Sequence, residues 1–443
     1  MSTATHPDVA ISAPGKVLLA GGYLVLDRKY TGLVFGLDAR ISVIAGQIHS
    51  SAGVQLNEIV VDSPQFLEAQ WRYGYHLAPE GGGIKVTQLQ VGGQVNPNPF
   101  VETTLNYALT YANTVTNSTT APSSSRLVIL ADNDYYSNPA TTDAPGRFAK
   151  FGVTLREAHK TGLGSSAALV TALTAALLTH YLPRDRFDAS TDAGRAALHN
   201  LAQAAHCAAQ GKVGSGFDVA AAVYGSCTYR RFSPSVLAGI PEAGAPGFAA
   251  RLVEVVDDRG AAWDVEVKAA DGLRMPRGVT LRMCDVDCGS QTVGMVKQVL
   301  AWRAQDAAGS TRLWDELQAR NEALAQVLRN DALGEVPSRI QGVRELIRAM
   351  GERSGVPIEP PAQTELLDAA ARVEGVHGGV VPGAGGFDAA ALLMDDDEAT
   401  ERRVVEFLAR WSAEKGGKVK LLSVRGEMEG VRREQLDVYE GWL

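Results

Sequence analysis

The sequence predicts an α+β protein of two domains, and three observations support this prediction. The chain has 443 residues, which is more than one ordinary hydrophobic core accommodates. Its first part begins with short apolar segments typical of strands, whereas long segments with helical apolar spacing follow later. A stretch rich in proline and glycine, residues 232–248, separates the two parts. We therefore place the first domain at 1–235 and the second at 236–443.

The first part is predicted to combine strands with two alanine-rich helices. The segment "VAISAPGKVLLAGGYLVL" (9–26) is interpreted as strand, turn and strand, with the turn at Pro14-Gly15. Apolar runs and polar, turn-rich stretches alternate after it. The predictions are strands at 40–48 and 125–132, loops at 86–99 and 112–125, and helices at 164–182 and 195–210.

The second part is predicted to be mostly helical, with strands near its beginning and end. The segment "GVTLRMCDVD" (278–287) has the pattern of a strand, and three amphipathic helices follow it. Asp395 to Asp397 stand at a predicted helix start, where negative charge is favoured. The predictions are helices at 292–305, 312–330, 336–355, 362–374 and 397–414, and strands at 389–394 and 418–424.

Composition and charge exclude several classes of protein. The net charge is −8 and the isoelectric point is about 5.6, which argues against a broad nucleic-acid-binding surface. The four cysteines lack zinc-site spacing and are interpreted as reduced thiols. The N-terminus has no secretory pattern, and the longest apolar helical stretch is too short to span a bilayer. We therefore expect a cytoplasmic protein that binds neither nucleic acid nor membrane.

The stretch "HKTGLGSSAAL" (159–169) has the composition of an anion-binding helix start. Gly162 and Gly164 precede Ser165, Ser166 and an apolar run, with no acidic residue among them. A helix start carries unpaired N–H groups and partial positive charge, and glycines let a phosphate approach the backbone. The common phosphate-binding loop also has a lysine that is absent here, so positive charge must come from elsewhere. The alternative is an ordinary serine-capped helix.

Lys16 is a candidate for that positive charge. Because it follows the predicted turn at Pro14-Gly15 between two apolar strands, its side chain can be held facing a cleft. The alternative is a solvated lysine in a turn, which is the common case.

Two further segments join glycines to apolar runs. In "GSGFDVAAAVYG" (214–225), Asp218 is either a charge that favours a helix start or a catalytic or positioning carboxylate. The segment "PGAGGFDAA" (382–390) is either a loop that lets backbone approach a ligand or an ordinary turn.

In chain order these segments resemble the GHMP kinases, a family named for galactokinase, homoserine kinase, mevalonate kinase and phosphomevalonate kinase. "APGKVLLAGGY" (13–23), "GLGSSAA" (162–168) and "PGAGGFDAA" are similar to the three family motifs. The proline expected upstream of Gly162 is absent, and Phe387 stands where small residues are common. Lys160 before the loop and "GSGFDVAAAVYGSCTYRRF" (214–232) are similar to the last of the four enzymes named.

The resemblance implies a two-domain α+β fold, with a ribosomal-S5-like N-terminal domain and a ferredoxin-like α/β C-terminal domain. It implies ATP and Mg²⁺ as cofactors, 5-phosphomevalonate as the acceptor, and a place in isoprenoid and sterol biosynthesis. Ser166 would be a magnesium ligand, Lys16 would align the two phosphates, and Asp218 would orient Lys16 and the acceptor or act as a base. The implied nucleotide-binding residues are Gly162, Leu163, Gly164, Ser165, Ser166, Ala167 and Ala168.

The acceptor has a carboxylate and a phosphate, and both require hydrogen-bond donors or positive charge. Lys297, Arg230 and Arg231 are further options, although an arginine here can equally form a structural ion pair. The substrate-binding candidates are Lys16, Tyr23, Lys160, Asp218, Ser290, Thr292, Gly383, Ala384 and Gly385.

Two alternatives to this activity stay open. The first is a family member with an alcohol acceptor, such as mevalonate, and the second is a catalytically inactive relative that binds ATP. A dinucleotide-dependent oxidoreductase is disfavoured because no G-x-G-x-x-G follows the first strand. The protein is expected to be a monomer or a homodimer.

Overall fold

The computed structural model describes residues 8–49, 56–89, 96–136, 146–287 and 294–443. The N-terminal part contains strands packed against helices. Its strands are β1 (Val9–Ala20), β2 (Gly32–Gln47), β3 (Glu58–Asp62), β4 (Gln70–Ala78), β5 (Gly83–Gln88), β6 (Ser125–Ala131) and β7 (Cys227–Arg230). Its helices are α1 (Pro99–Val115), α2 (Ser165–Tyr181), α3 (Asp192–Gln210), α4 (Phe217–Tyr224) and α5 (Phe248–Val256).

Among the described residues, the C-terminal part contains four antiparallel strands that lie side by side, with helices inserted between them, and two further strands that pair with the N-terminal part. Its strands are β8 (Glu266–Lys268), β9 (Val279–Asp287), β10 (Val376–Val380), β11 (Ala389–Asp395), β12 (Lys418–Glu427) and β13 (Arg432–Glu434). Its helices are α6 (Met295–Gln305), α7 (Ala307–Arg329), α8 (Val336–Ser354), α9 (Pro361–Ala370) and α10 (Glu398–Lys415). The four strands that form the sheet have the order β10-β11-β9-β12, and helices follow the first and third of them in the chain. This is the ferredoxin-like arrangement, so the predicted fold of this part is confirmed.

One continuous sheet joins the two parts of the molecule. Its strand order is β10-β11-β9-β12-β2-β6-β3-β4-β5, with β12 pairing antiparallel to β2. β13, near the C-terminus, pairs with β1. The predicted boundary at residue 235 stays a prediction, but α5 and β8 lie after it and pack on α1, α3 and β7, which lie before it.

Side chains that cap helices define several of the element boundaries. Thr191 accepts a hydrogen bond from Gly194 N at the start of α3, and Asp397 accepts one from Thr400 N at the start of α10. Gly211 and Gly416 end these two helices in the left-handed conformation. The acidic residues predicted at the start of α10 are therefore confirmed as a cap and its neighbours.

α2 is the central helix of the N-terminal part. Most of its residues are buried, because it packs against β1, β2, α1, α3 and α4. A helix that is apolar on all sides needs such surroundings to be stable. Packing on every side also fixes the direction in which its N-terminus points.

Several predicted elements are wrong. The turn predicted at Pro14-Gly15 does not form, because β1 runs through both residues with only a shift of register against β2. The bend comes at Gly21 and is followed by a short 3-10 helix, Leu24–Leu26. The loops predicted at 86–99 and 112–125 are confirmed at 89, 96–98 and 116–124, but they were drawn too long, because their ends belong to β5 and α1; residues 90–95 lie outside the described residues. The sequence interpretation also missed β3, β4 and β10. No helix in the described ranges is long and apolar enough to cross a membrane.

Candidate active site

Residues 162–168, which the sequence predicts to bind phosphate and which we call the phosphate loop, form the start of α2. Gly164 precedes the helix at φ 85° and ψ 39°, a left-handed conformation that favours glycine. No side chain caps this start, and its first turn has no acidic residue. The first N–H groups of α2 therefore have no partner within the helix and carry the positive end of its dipole. Ser165 and Ser166 are partly buried beside them.

Strand β1 lies directly against the phosphate loop. The backbone N–H of Lys16 donates to the carbonyl oxygen of Leu163 at 2.9 Å. A Cβ atom on Gly15 would lie 2.9 Å from that same oxygen and 2.9 Å from the hydroxyl of Tyr135. The loop can lie against the strand only because residue 15 has no side chain.

The side chain of Lys16 crosses the phosphate loop. A Cβ atom on Gly164 would lie 2.9 Å from Cγ and 2.8 Å from Cε of Lys16, which shows how closely the lysine covers that glycine. Its Nζ lies 5.5 Å from the ring centroid of Phe217, the first residue of α4. Burial lowers the pKa of Lys16, and the negative charge of Asp218 counteracts that shift. The ammonium group therefore lies between the starts of α2 and α4.

Asp218 belongs to the first turn of α4. Gly216 precedes this helix at φ 84°, again left-handed and again without a side-chain cap. The carboxylate of Asp218 is 25% exposed, and its Oδ1 accepts a hydrogen bond from Val219 N at 3.0 Å. The structure thus brings together Lys16, the phosphate loop and Asp218, which are far apart in the sequence.

His206 is a member of the site that the sequence interpretation missed. It lies on α3 and is 2% exposed. Its Nε2 is 3.1 Å from the Ser166 hydroxyl and 4.0 Å from Oδ2 of Asp218. Burial lowers the pKa of His206, while the charge of Asp218 opposes this. The only sequence signal was a histidine within the alanine-rich stretch "AQAAHCAAQ" (202–210), which helical spacing alone assigns to packing.

The glycine-rich loop at 383–385 packs against the end of β1. Gly383 N donates to Leu18 O at 3.0 Å, and a Cβ atom on Gly22 would lie 2.2 Å from Gly383 O. Tyr23 donates its hydroxyl to Ala384 O at 2.6 Å and is almost fully buried. The segments 13–23 and 382–390 are therefore in direct contact. Because Tyr23 makes this contact within the protein, its predicted contact with substrate stays a prediction.

The remaining predicted donors are less closely associated with this centre. Lys160 is exposed, two residues before Gly162, and Lys297 is exposed in the first turn of α6. Ser290 and Thr292 lie outside the described residues.

The two neighbouring arginines are engaged by the protein itself. Arg230 pairs with Glu266 at 3.3 Å, so the structural ion pair considered above does form. Arg231 donates to Leu26 O at 2.8 Å and to Gly214 O at 2.7 Å. It therefore joins the 3-10 helix after β1 to the loop that leads into α4.

The side chains of this site fit a magnesium ion that takes most of its ligands from a nucleotide and from water. Within the ranges that the structure describes, no three His, Cys, Asp or Glu side chains converge as a metal site. Ser166 supplies one hydroxyl oxygen at a helix start. Mg²⁺ in nucleotide sites usually has few protein ligands and takes the others from phosphates and water.

Comparison with known families identifies the class. The family model described as "GHMP kinases N terminal domain" matches residues 147–226, which include the phosphate loop, His206 and Asp218. The model described as "GHMP kinases C terminal" matches residues 322–412, which include the glycine-rich loop. The class defined by the fold and the site is therefore that of the GHMP kinases.

Individual relatives narrow the class further. A phosphomevalonate kinase of Gibberella zeae is 68% identical over 99% of both chains, and one of Aspergillus fumigatus is 49% identical over 98% of both. The chain belongs to the phosphomevalonate kinases of the GHMP kinase family. A solved structure of Streptococcus pneumoniae phosphomevalonate kinase in complex with phosphomevalonate and AMPPNP shares the fold. Its TM-score is 0.62 at 17% identity, covering 95% of this chain and all of that one.

Proposed function

We propose that this chain transfers the γ-phosphoryl group of ATP to the phosphate of (R)-5-phosphomevalonate, giving 5-diphosphomevalonate and ADP. An oxygen of the acceptor phosphate forms the new bond to the γ-phosphorus, and the bond from that phosphorus to the β–γ bridging oxygen breaks. The observation that carries the proposal is the position of Lys16 between the start of α2 and Asp218.

The phosphates of the nucleotide are proposed to bind at residues 162–168. The unpaired N–H groups at the start of α2 face an anion without competition from an acidic side chain in the first turn. Ser166 is the proposed protein ligand of Mg²⁺, which when bound neutralises phosphate charge and orients the γ-phosphoryl group.

Lys16 is proposed to hold donor and acceptor phosphates together. Two polyanions repel each other at contact distance, and the repulsion is strongest where water is excluded. The ammonium group of Lys16, whose methylene chain lies over Gly164, would stabilise the charge that spreads over the transferred group. Because burial disfavours the charge on Lys16, the arrival of phosphates makes its charged form more favourable.

Asp218 is proposed to orient Lys16 and the acceptor. A phosphate monoester has a second pKa of about 6, so the attacking oxygen is mostly ionised near neutral pH and needs no strong base. Asp218 would act as a base only on an acceptor that arrives protonated.

The other substrate contacts are proposals that follow from position. Gly383, Ala384 and Gly385 present backbone beside the first motif, and Tyr23 fixes that loop through its bond to Ala384 O. Lys160, which is exposed two residues before Gly162, is proposed to contact an anionic end of a substrate. Ser290 and Thr292 are proposed as further donors from the segment before α6.

A coupled assay of ADP release tests the function. Purified protein with Mg-ATP is given 5-phosphomevalonate or mevalonate in parallel reactions. We expect turnover with 5-phosphomevalonate and a kcat/KM for mevalonate that is lower by orders of magnitude. Turnover with mevalonate alone would replace the proposal by the alcohol-acceptor alternative. Tight ATP binding without turnover of either compound would favour an inactive relative.

The cytoplasm is the proposed location, and a monomer or homodimer is the proposed assembly. A fluorescent fusion expressed from the natural locus and light scattering of the purified protein test these two statements.

A further inference from the structure

The imidazole of His206 lies between the two helix starts of the site, and the transfer as described gives it no role. Its Nε2 is 3.1 Å from the Ser166 hydroxyl, in the first turn of α2. The same nitrogen is 4.0 Å from Oδ2 of Asp218, in the first turn of α4. One buried ring nitrogen therefore faces both the proposed magnesium ligand and the carboxylate beside Lys16.

Two further side chains contact the imidazole ring of His206. The ring of Phe100 lies 5.7 Å away between centroids, with the two planes 30° apart. Gln210, one turn further along α3, places its amide nitrogen 3.1 Å from Nδ1 and 2.8 Å from Nε2. A buried side chain with neighbours on several sides keeps one rotamer. The imidazole can therefore keep the groups on either side of it at a constant distance.

We propose that His206 is a positioning residue that sets the distance between the Ser166 hydroxyl and the Asp218 carboxylate. A serine hydroxyl has one hydrogen and two lone pairs, so its bond to His206 leaves a lone pair free for a metal ion. His206 thereby directs that lone pair toward the metal–nucleotide site and keeps Asp218 at the distance at which it orients Lys16. The part of this inference that concerns catalysis rests on the proposed function.

A histidine that is packed among aromatic side chains on the same helix provides the natural comparison. His199 lies on the same helix, seven residues earlier, and is fully buried. Its ring lies 5.7 Å from that of Tyr224 and 5.5 Å from that of Trp263, between centroids. Its Nδ1 is 3.2 Å from Asn200 Oδ1. Replacement of either histidine by leucine makes the same chemical change in the same helix, but only one change affects Ser166.

The test is calorimetric titration of AMPPNP into the full-length protein, with and without Mg²⁺ and without acceptor. The quantity compared is the factor by which Mg²⁺ raises nucleotide affinity. Outer partners of metal ligands are worth roughly 10–100-fold in metal affinity, so we expect His206→Leu to reduce this factor about tenfold. His206→Gln places an amide near the position of Nε2 and is expected to restore the factor to within about threefold of wild type. His199→Leu is expected to leave it unchanged.

A double-mutant cycle separates positioning from general destabilisation. In a Ser166→Ala background the partner of His206 is missing, so His206→Leu is expected to have little further effect on the magnesium factor. An additive loss in that background would overturn the proposal. So would equal losses in His206→Leu and His199→Leu, or a failure of His206→Gln to restore the factor while its melting temperature matches wild type.

The outcome is independent of the acceptor. A wild-type protein that binds Mg-AMPPNP but leaves 5-phosphomevalonate unmodified contradicts the proposed function and not the role of His206 in the metal–nucleotide site. If turnover is present, kcat is expected to fall in His206→Leu and to recover in His206→Gln, in parallel with the magnesium factor.

Discussion

The starts of α2 and α4 use the same backbone arrangement for opposite purposes. Each follows a left-handed glycine, Gly164 at φ 85° and Gly216 at φ 84°, and neither has a side-chain cap. The first turn of α2 contains serines and no acid, whereas that of α4 contains Asp218. The start of α2 can therefore attract an anion, whereas the start of α4 already has the carboxylate of Asp218. The side chains of one turn, and not the backbone, decide what each helix start binds.

Lys16 connects the two helix starts. Asp218 attracts its ammonium group, while burial and the positive end of α2 disfavour it. Phosphate groups at α2 would supply the negative charge missing from that side. Under the proposed function, Lys16 is therefore the cation that the starts of α2 and α4 share.

Removing the shared cation should have the largest effect. Lys16→Met is expected to lower kcat roughly 10²–10³-fold, because a positioned group that stabilises developing charge is worth that much. The melting temperature should stay the same or rise, since a charge that burial disfavours has been removed. Steady-state kinetics and thermal denaturation measure both quantities. The control is Lys150→Met, which removes an exposed lysine. Near-wild-type turnover in Lys16→Met would exclude the lysine from the mechanism.

Displacing the cation should have the next largest effect. In Gly164→Ala the new Cβ would lie 2.8–2.9 Å from Lys16 atoms, so the lysine must move, and we expect kcat to fall about tenfold or more. The left-handed conformation itself costs about 1–2 kcal/mol for alanine. Gly211→Ala is the matched control, because Gly211 has φ 66° and open space around its Cβ position. Equal activity losses in both variants would mean that strain, and not Lys16, is responsible.

Removing the hydroxyl from the anion-binding start should act through the metal. Ser166→Ala is expected to raise the Mg²⁺ concentration needed for half-maximal rate about tenfold, with a smaller change in kcat at saturating Mg²⁺. A titration of rate against free Mg²⁺ measures this. Ser165→Ala, at the neighbouring position, gives the comparison. If the magnesium dependence of Ser166→Ala matches wild type, Ser166 is not a ligand.

His199, the α3 residue that packs against Tyr224 at the end of α4, should affect stability and leave the chemistry unchanged. Burial lowers the pKa of His199 from 6.5 to about 4, so the folded protein keeps it neutral. Above pH 6.5 this shift costs no stability, because His199 is neutral in both the folded and the unfolded protein. As the pH falls from 6.5 toward 4, the unfolded chain binds a proton that the folded protein does not, and stability is lost. Between pH 7 and pH 5 the loss is roughly 2 kcal/mol. Urea unfolding at both pH values should show a correspondingly smaller drop for His199→Leu. An identical drop would show that His199 is not the group that titrates.

Local signals in the sequence were sufficient to place the start of α2. The glycines and serines of 162–168 are adjacent in the chain, and the helix that follows is set by its own apolar run. α1 was missed although its start signals are present, with Asn98 as N-cap and Pro99 in the first turn. The polar residues at the C-terminal end of α1 have the composition of a loop, and a loop was predicted there instead.

Lys16 lies beside the loop at 162–164 as expected, but for a different structural reason from the one that the sequence suggested. The sequence interpretation relied on a turn at Pro14-Gly15, whereas the structure keeps both residues in β1 and uses Gly15 for close contact with Leu163. A strand holds the lysine more rigidly than a turn does, because its backbone is paired on β2. Strand and turn were not distinguishable from proline and glycine alone.

The sequence by itself determined the class of fold and the helix start at Ser165, because these depend on neighbours a few positions away. It also supplied Lys16, Ser166 and Asp218 as candidates whose roles stay predictions. Only the tertiary structure decided which of them meet. His206 reaches Ser166 across 40 residues, and Tyr23 reaches Ala384 across 361. Such contacts depend on how α2, α3 and β1 pack around one core, and no local pattern encodes the position of one helix against another.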